Sequence, residues 1–165
     1  MAKQLMIKPE KCTGCRTCEL ICSWNRGKDF NPQNSAVSVV DYEEEVMSIP
    51  MMCLQCEEAY CIKACKVGSL FRDGNGTVKN DTAKCIGCKV CVKACPTRSI
   101  SFNQASKKIL KCELCDGDPG CAKHCPPGCI VYTDEGDGLG RKRALALHLK
   151  NIFSATEPKA EEAAK

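Results

Sequence analysis

An α+β fold of short strands and short helices is predicted by three observations. The chain has 165 residues and 17 cysteines, against one Trp, three Tyr and four Phe. The cysteines fall into four quartets with one left over. Between the quartets lie brief β-branched or apolar stretches cut by Gly and Pro turns. A cysteine share near one in ten leaves three classes: disulfide scaffold, zinc protein or iron–sulfur protein. So few aromatic side chains cannot build the apolar core of an ordinary α/β enzyme, so the core must be largely inorganic.

The quartets are Cys12, Cys15, Cys18, Cys22; Cys53, Cys56, Cys61, Cys65; Cys85, Cys88, Cys91, Cys95; and Cys112, Cys115, Cys121, Cys125. The first and third read C-x2-C-x2-C-x3-C. The second and fourth widen the middle gap, to x4 and x5. Flanking residues repeat too: Lys11-Cys12-Thr13-Gly14-Cys15 matches Lys84-Cys85-Ile86-Gly87-Cys88. Repetition on this scale points to duplication of one small cluster-binding unit.

Three cysteines at steps of three residues curl around one face of a cubane, each thiolate taking one iron corner. Gly14 and Gly87 are expected where the backbone passes close to the cluster. The fourth cysteine is expected to start a short helix that points away. In two-cluster ferredoxins the fourth cysteine of such a run ligates the other cluster. Pro96 and Pro126 follow the fourth cysteines of groups three and four and are expected to end the turn.

Zinc sites also use C-x2-C pairs, but a tetrahedral site wants two pairs with a spacer. No apolar run approaches the roughly 20 residues of a spanning helix. The polar N-terminus has no secretory pattern, and the chain is expected to be cytoplasmic, where structural disulfides are rare. The cysteines are therefore assigned to metal. The formal charge of +4 counts them as neutral; four oxidised clusters at about −2 each would bring the total to roughly −4. Nothing in this balance calls for nucleic acid.

The remaining elements are read in chain order. Ala36–Tyr42 reads as a strand. Ser69–Arg72 and Thr77–Lys79 flank the turn Asp73-Gly74-Asn75-Gly76 as a hairpin. Ser99–Phe102 and Lys108–Leu110 form a second one. One or two helical turns are expected after Cys22, Cys65, Cys95 and Cys125. Gly136–Gly140 is a loop. Arg141–Phe153 reads as a helix with the stripe Leu145, Leu149, Ile152, Phe153, available to dock a partner or a second copy; a polar tail comes last.

Several residues are set apart. Cys129 falls where the sister repeats carry Ser69 and Ser99, and reads as a small packed thiol. His124, beside Cys125, reads as a surface imidazole, with cluster contact as the alternative. His148 sits on the solvated side of the last helix. Lys11, Lys84 and Lys111 each precede a first cysteine, where their charge could raise a cluster potential.

The order of quartets, with loosened second and fourth groups, resembles the four-cluster ferredoxin subunits of the dimethyl-sulfoxide-reductase iron–sulfur family. The likeness runs over about Met1–Thr133. Within it, the short length and basic tail helix look most like the small electron-transfer subunit of multisubunit tungsten aldehyde oxidoreductases. The resemblance implies two nested bacterial-ferredoxin-like two-cluster modules. Residues 1–50 and 97–135 form the outer one, 51–96 the inner one, and 136–165 a C-terminal helix and tail. It implies four 4Fe–4S clusters. Cys12, Cys15, Cys18 share one with Cys125; Cys112, Cys115, Cys121 share one with Cys22. Cys53, Cys56, Cys61 pair with Cys95; Cys85, Cys88, Cys91 pair with Cys65. Lys66, where Pro is common, and the short Cys115–Cys121 loop depart from the family pattern.

The function so implied is electron relay between a molybdenum or tungsten oxidoreductase catalytic subunit and a second redox partner, flavin-containing or otherwise. A formate dehydrogenase or hydrogenase relay is the near alternative, and a zinc-built interaction module the distant one. Catalysis by the chain itself is not expected. Sixteen cysteines fill sixteen iron corners, and no Gly-rich phosphate loop follows a strand.

Overall fold

The computed structural model describes residues 3–42 and 46–133. The expected helix at 141–153, with His148, and the loop and tail around it lie outside the described residues.

Strand β1 (Gln4–Ile7) opens the fold, and a single 3-10 turn (Pro9–Lys11) leads into the first cysteine loop. Helix α1 (Thr17–Gly27) comes next and buries Cys18, Glu19, Cys22 and Ser23 on one face. Strands β2 (Ser38–Tyr42) and β3 (Met47–Met51) pair antiparallel, with Val40 opposite Ile49. Next are α2 (Tyr60–Lys63) and the hairpin β4 (Leu70–Arg72)–β5 (Val78–Asn80). Then come α3 (Val90–Ala94) and the hairpin β6 (Ser101–Asn103)–β7 (Lys108–Leu110). Last are α4 (Gly120–Lys123) and β8 (Ile130–Thr133). Strand β8 returns to pair antiparallel with β1, Ile130 opposite Ile7. Each of the four sheets has two strands.

Two apolar cores result. One gathers Leu5, Ile7, Val37, Val39, Ile49, Met52, Leu114 and Ile130 around Cys18, Cys22, Cys112 and Cys121. The other gathers Leu70, Ile100 and Ile109 around Cys85 and Cys91, with Cys61, Cys65, Cys95 and Phe102 packed against it. Helix α1 packs on α4, and α2 on α3. The hairpin β6–β7 therefore shares its core with groups two and three, although it falls inside the 97–135 segment expected to go with groups one and four.

The helices are displaced from their expected places. In groups two, three and four the short helix contains the third cysteine and stops at or before the fourth. Immediately after the fourth cysteine the chain makes a turn instead. Gly68 N, Arg98 N and Gly128 N donate to the carbonyls of Cys65, Cys95 and Cys125 at 3.2, 3.2 and 3.1 Å. The three donors take φ of +64°, +51° and +66°, a left-handed conformation in which each turn closes. Pro96 and Pro126 thus sit at the second position of a tight turn, which their fixed φ suits, and start it rather than end it. Repeat two makes the same turn with Lys66. Only in group one does the helix run on past the fourth cysteine, to Gly27.

The two loop glycines do take positive φ, +67° at Gly14 and +70° at Gly87. The close approach they allow is to protein. A Cβ at Gly14 would lie 2.8 Å from Ser48 Oγ, and one at Gly87 would lie 2.4 Å from the Lys107 carbonyl. Gly68, also left-handed, has open space around it. Gly68→Ala should therefore cost only the left-handed penalty, about 1–2 kcal/mol. Gly87→Ala should cost about 3 kcal/mol or more, because backbone must also move. The bleaching temperatures of the two anaerobic variants check this; equal temperatures would contradict it.

Candidate metal centres

Each cysteine loop is wound by left-handed residues. In groups one and three Gly14 and Arg16 flank Cys15, and Gly87 and Lys89 flank Cys88, all four with positive φ. In group four Leu114, Cys115 and Asp116 take φ of +58°, +48° and +54°, and in group two Gln55 takes +52°. Non-glycine residues rarely hold this conformation. Here it closes the loop so that successive cysteines turn toward one centre.

The cysteines that come together are drawn from distant parts of the chain. Cys22 lines one cavity of about 480 Å³ with Cys112, Cys115 and Cys121. Cys12, Cys15, Cys18, Cys125 and Cys129 line another, much tighter space. Thiol acidities report the same neighbourhoods. Burial pushes Cys18 up to about 12, helped by Glu19 and by the sulfurs of Cys12 and Cys125. Burial raises Cys61, with Cys53 and Cys95 adding to it. It raises Cys91 to about 11, with Cys65 and Cys85 beside it. It raises Cys112 to about 12, with Cys53 and Cys22 nearby. Metal ligation requires these thiols to lose their protons.

Every fourth cysteine has a neighbouring hydrogen-bond donor. Ala36 N donates to Cys22 Sγ at 3.3 Å and Ile130 N to Cys125 Sγ at 3.5 Å. The Ser69 hydroxyl lies 3.2 Å from Cys65 Sγ, and Thr97 Oγ1 lies 3.4 Å from Cys95 Sγ. Ser69 and Thr97 are both buried, and the Thr97 hydroxyl also meets Ser99 Oγ at 2.8 Å. Donors of this kind stabilise thiolate and set the potential of a bound cluster.

The cavity lined by Cys22, Cys112, Cys115 and Cys121 is wide enough for a multi-iron group. Four thiolates on one zinc, at about 2.3 Å each, would have to lie roughly 4 Å apart. Among the described residues, no three Cys, His, Asp or Glu side chains converge closely enough to hold a single ion. The donor set is all sulfur, as 4Fe–4S ligation requires.

The residues set apart from the quartets differ in outcome. Cys129 is 1% exposed and lies against Cys12 and Cys125, and its thiol is raised by burial and by those two sulfurs. His124 is exposed, with Nδ1 3.0 Å from the Gly120 carbonyl. Lys11 is exposed, and Lys84 reaches Asp81 at 3.4 Å on the surface. Lys111, by contrast, is completely buried.

Residues 44–135 match the 4Fe–4S dicluster domain family, and the chain belongs to that family. It is 34% identical over 122 residues to the polyferredoxin-like subunit of an aliphatic sulfonate oxidoreductase from Pyrococcus furiosus, covering 73% of this chain and 70% of that one. It is 29% identical to the iron-sulfur subunit of the nitrate-inducible formate dehydrogenase of Escherichia coli, covering 81% of this chain and 55% of that one. Among solved structures, a chain of the active-site complex BamBC of benzoyl coenzyme A reductase matches with 27% identity and a TM-score of 0.49, over 93% of this chain and 95% of that one. The chain belongs with the iron–sulfur, electron-transfer subunits of oxidoreductase complexes. No helix among the described residues is long and apolar enough to cross a membrane.

The first cysteine loop is pinned by an exposed polar cluster. Arg16 Nη2 donates to Asp41 Oδ2 at 2.5 Å, and the Ser48 hydroxyl donates to Asp41 Oδ1 at 2.6 Å. The Ser48 hydroxyl, and then Arg16, hold the Asp41 carboxyl below its usual range. A lowered carboxyl stabilises the fold above its ordinary value of 3.8 and loses that contribution as pH falls through the lowered one. Asp41→Asn should therefore speed amide exchange in residues 14–18 at pH 7, and the gap to wild type should persist down to about pH 4 and shrink only as pH falls below 3.8. A gap independent of pH would refute the ionic role of Asp41.

Proposed function

We propose that the chain holds four 4Fe–4S clusters and relays single electrons between a molybdenum- or tungsten-containing catalytic subunit and a second redox subunit, flavin-bearing or otherwise. The observation that carries this reading is the grouping of cysteines from distant quartets around shared centres. The neighbourhoods support the ligand sets Cys12, Cys15, Cys18 with Cys125 and Cys112, Cys115, Cys121 with Cys22. For the inner pair, Cys61 lies near Cys53 and Cys95, and Cys91 near Cys65 and Cys85, which favours Cys53, Cys56, Cys61 with Cys95 and Cys85, Cys88, Cys91 with Cys65. This is the nested arrangement of an outer and an inner two-cluster module, with the inner one extended through the β6–β7 hairpin to about residue 110.

When bound, the clusters supply one-electron redox chemistry. The chain's own part is to hold them and tune them. Sixteen thiolates fix their positions, and the donors at Cys22, Cys65, Cys95 and Cys125 stabilise the added charge of the reduced state. The second cysteines of groups one, three and four, Cys15, Cys88 and Cys115, are exposed. Three of the centres thus reach the surface, which gives electrons separate places to enter and leave.

The names of the relatives favour a partner that oxidises or reduces a small organic acid or sulfonate. An aldehyde-oxidising tungsten subunit is the particular partner we favour. A formate dehydrogenase or hydrogenase partner is the alternative. Assembly through residues 141–153, expected from the sequence to form a helix, with the partner or with a second copy, and a cytoplasmic location belong to the same reading.

Cys22→Ser tests the ligand sets. EPR of the reduced variant should alter the cluster anchored by Cys112, Cys115 and Cys121 and leave that of Cys12, Cys15 and Cys18 unchanged; the reverse would sink the assignment. For the relay, the dithionite-reduced protein should take up four electrons per chain. It should pass them to a tungsten- or molybdenum-containing subunit purified with it. Fewer than two electrons per chain would end the relay proposal.

A further inference from the structure

Lys111 has no exposed surface at all, and it is the largest side chain so enclosed. Its ammonium donates to two neutral carbonyls, that of Val78 at 2.6 Å and that of Cys112 at 2.9 Å. None of the ion pairs among the described residues includes it. A fully buried cation without a counter-charge is strongly unfavourable. Carbonyl dipoles only partly replace water, so a negative group must lie close by when the protein is complete.

The position of Lys111 says which negative group that is. It sits where the two halves of the molecule meet. The Cys112 carbonyl also accepts from Gln55 Nε2 at 2.9 Å, and Gln55 lies between Cys53 and Cys56 in the second cysteine loop. Gln55 Oε1 in turn accepts from Val78 N at 2.8 Å. The Lys111 carbonyl accepts from Arg26 on helix α1 at 3.0 Å. The Lys111 side chain thus bonds strand β5 and the first cysteine of group four, and Gln55 of the group-two loop shares the Cys112 carbonyl with it. Lys11 and Lys84, at the matching places in groups one and three, are both in solvent.

We propose that Lys111 is the shared counter-cation of two clusters, the inner one on Cys53, Cys56, Cys61 and Cys95 and the outer one on Cys112, Cys115, Cys121 and Cys22. The inference rests on the ligand sets proposed above. Its consequence is electrostatic. Reduction adds one negative charge to a cluster that is already anionic, and a fixed cation in a poorly solvated place stabilises the reduced form. Lys111 therefore raises the reduction potentials of the two junction clusters above the values they would have without it. It also favours an electron on either side of the junction, which suits transfer between the modules.

The test uses the anaerobic holoprotein with Lys111→Met, Lys111→Gln and Lys111→Arg. Iron and sulfide per chain and Mössbauer spectra come first, because they report on the ligand sets independently of Lys111. EPR-monitored redox titration is the second step. With cluster content intact, the Met and Gln variants should lower two of the four potentials. Each fall should reach a tenfold loss in the reduction equilibrium constant, about 59 mV for one electron. The other two potentials should stay, and Arg should restore the pair. Gln keeps an N–H donor for the two carbonyls, so it separates loss of charge from loss of a hydrogen bond. Four unmoved potentials in both neutral variants would overturn the proposal, and so would four that fall equally. If the neutral variants lose iron, loss of about half of it with the Arg variant intact would support the shared counter-charge. Equal loss in all three would reduce Lys111 to a packing residue.

Discussion

Cys22 and the trio Cys112, Cys115, Cys121 come from opposite ends of the described chain and line one cavity. The need to bring sulfurs from distant loops to one centre constrains the rest of the architecture. It explains why β1 and β8 pair with each other rather than with neighbours in sequence, and why α1 packs on α4. Two-stranded sheets of three to five residues are marginal alone. Each is stabilised by the core it faces, and in both cores cysteine sulfur occupies much of the place that aliphatic side chains would fill.

The local chemistry serves the same constraint. Left-handed backbone at Arg16, Lys89, Cys115 and Asp116 is costly for side-chain-bearing residues. It persists because the loops are held elsewhere, by Asp41 and Ser48 against group one and by the β6–β7 turn against group three. Buried hydroxyls and backbone amides meet the sulfurs of the four fourth cysteines, Cys22, Cys65, Cys95 and Cys125. The same residues that let the chain reach across also set the electrical environment at the crossing.

The cysteine quartets, the two hairpins at 69–80 and 99–110 and the positive φ of Gly14 and Gly87 are legible in the sequence, because spacing and turn residues encode them locally. The pairing of β1 with β8 is not, since two four-residue strands at the ends of the described chain carry no mark of each other. Strand β3 contains Pro50, which reads against a strand and is tolerated because the sheet has only edges. Spacing alone puts the helices a few residues too late. The turn after Cys65, Cys95 and Cys125 depends on left-handed Gly68, Arg98 and Gly128, and Arg98 gives no such signal. Lys11, Lys84 and Lys111 look alike in sequence. Only tertiary packing, with Gln55, Val78 and Arg26 around it, encloses Lys111. Cys129 is recognisable as a small buried thiol, but its contact with Cys12 and Cys125 is out of reach of spacing.

The central claim is that four cubanes occupy this fold. Iron, acid-labile sulfide and zinc measured together on the anaerobically purified chain test it most directly. About sixteen iron and sixteen sulfide per chain, with negligible zinc, is the expected result. A colourless, intact protein carrying zinc and little iron would contradict it and make the quartets a structural scaffold.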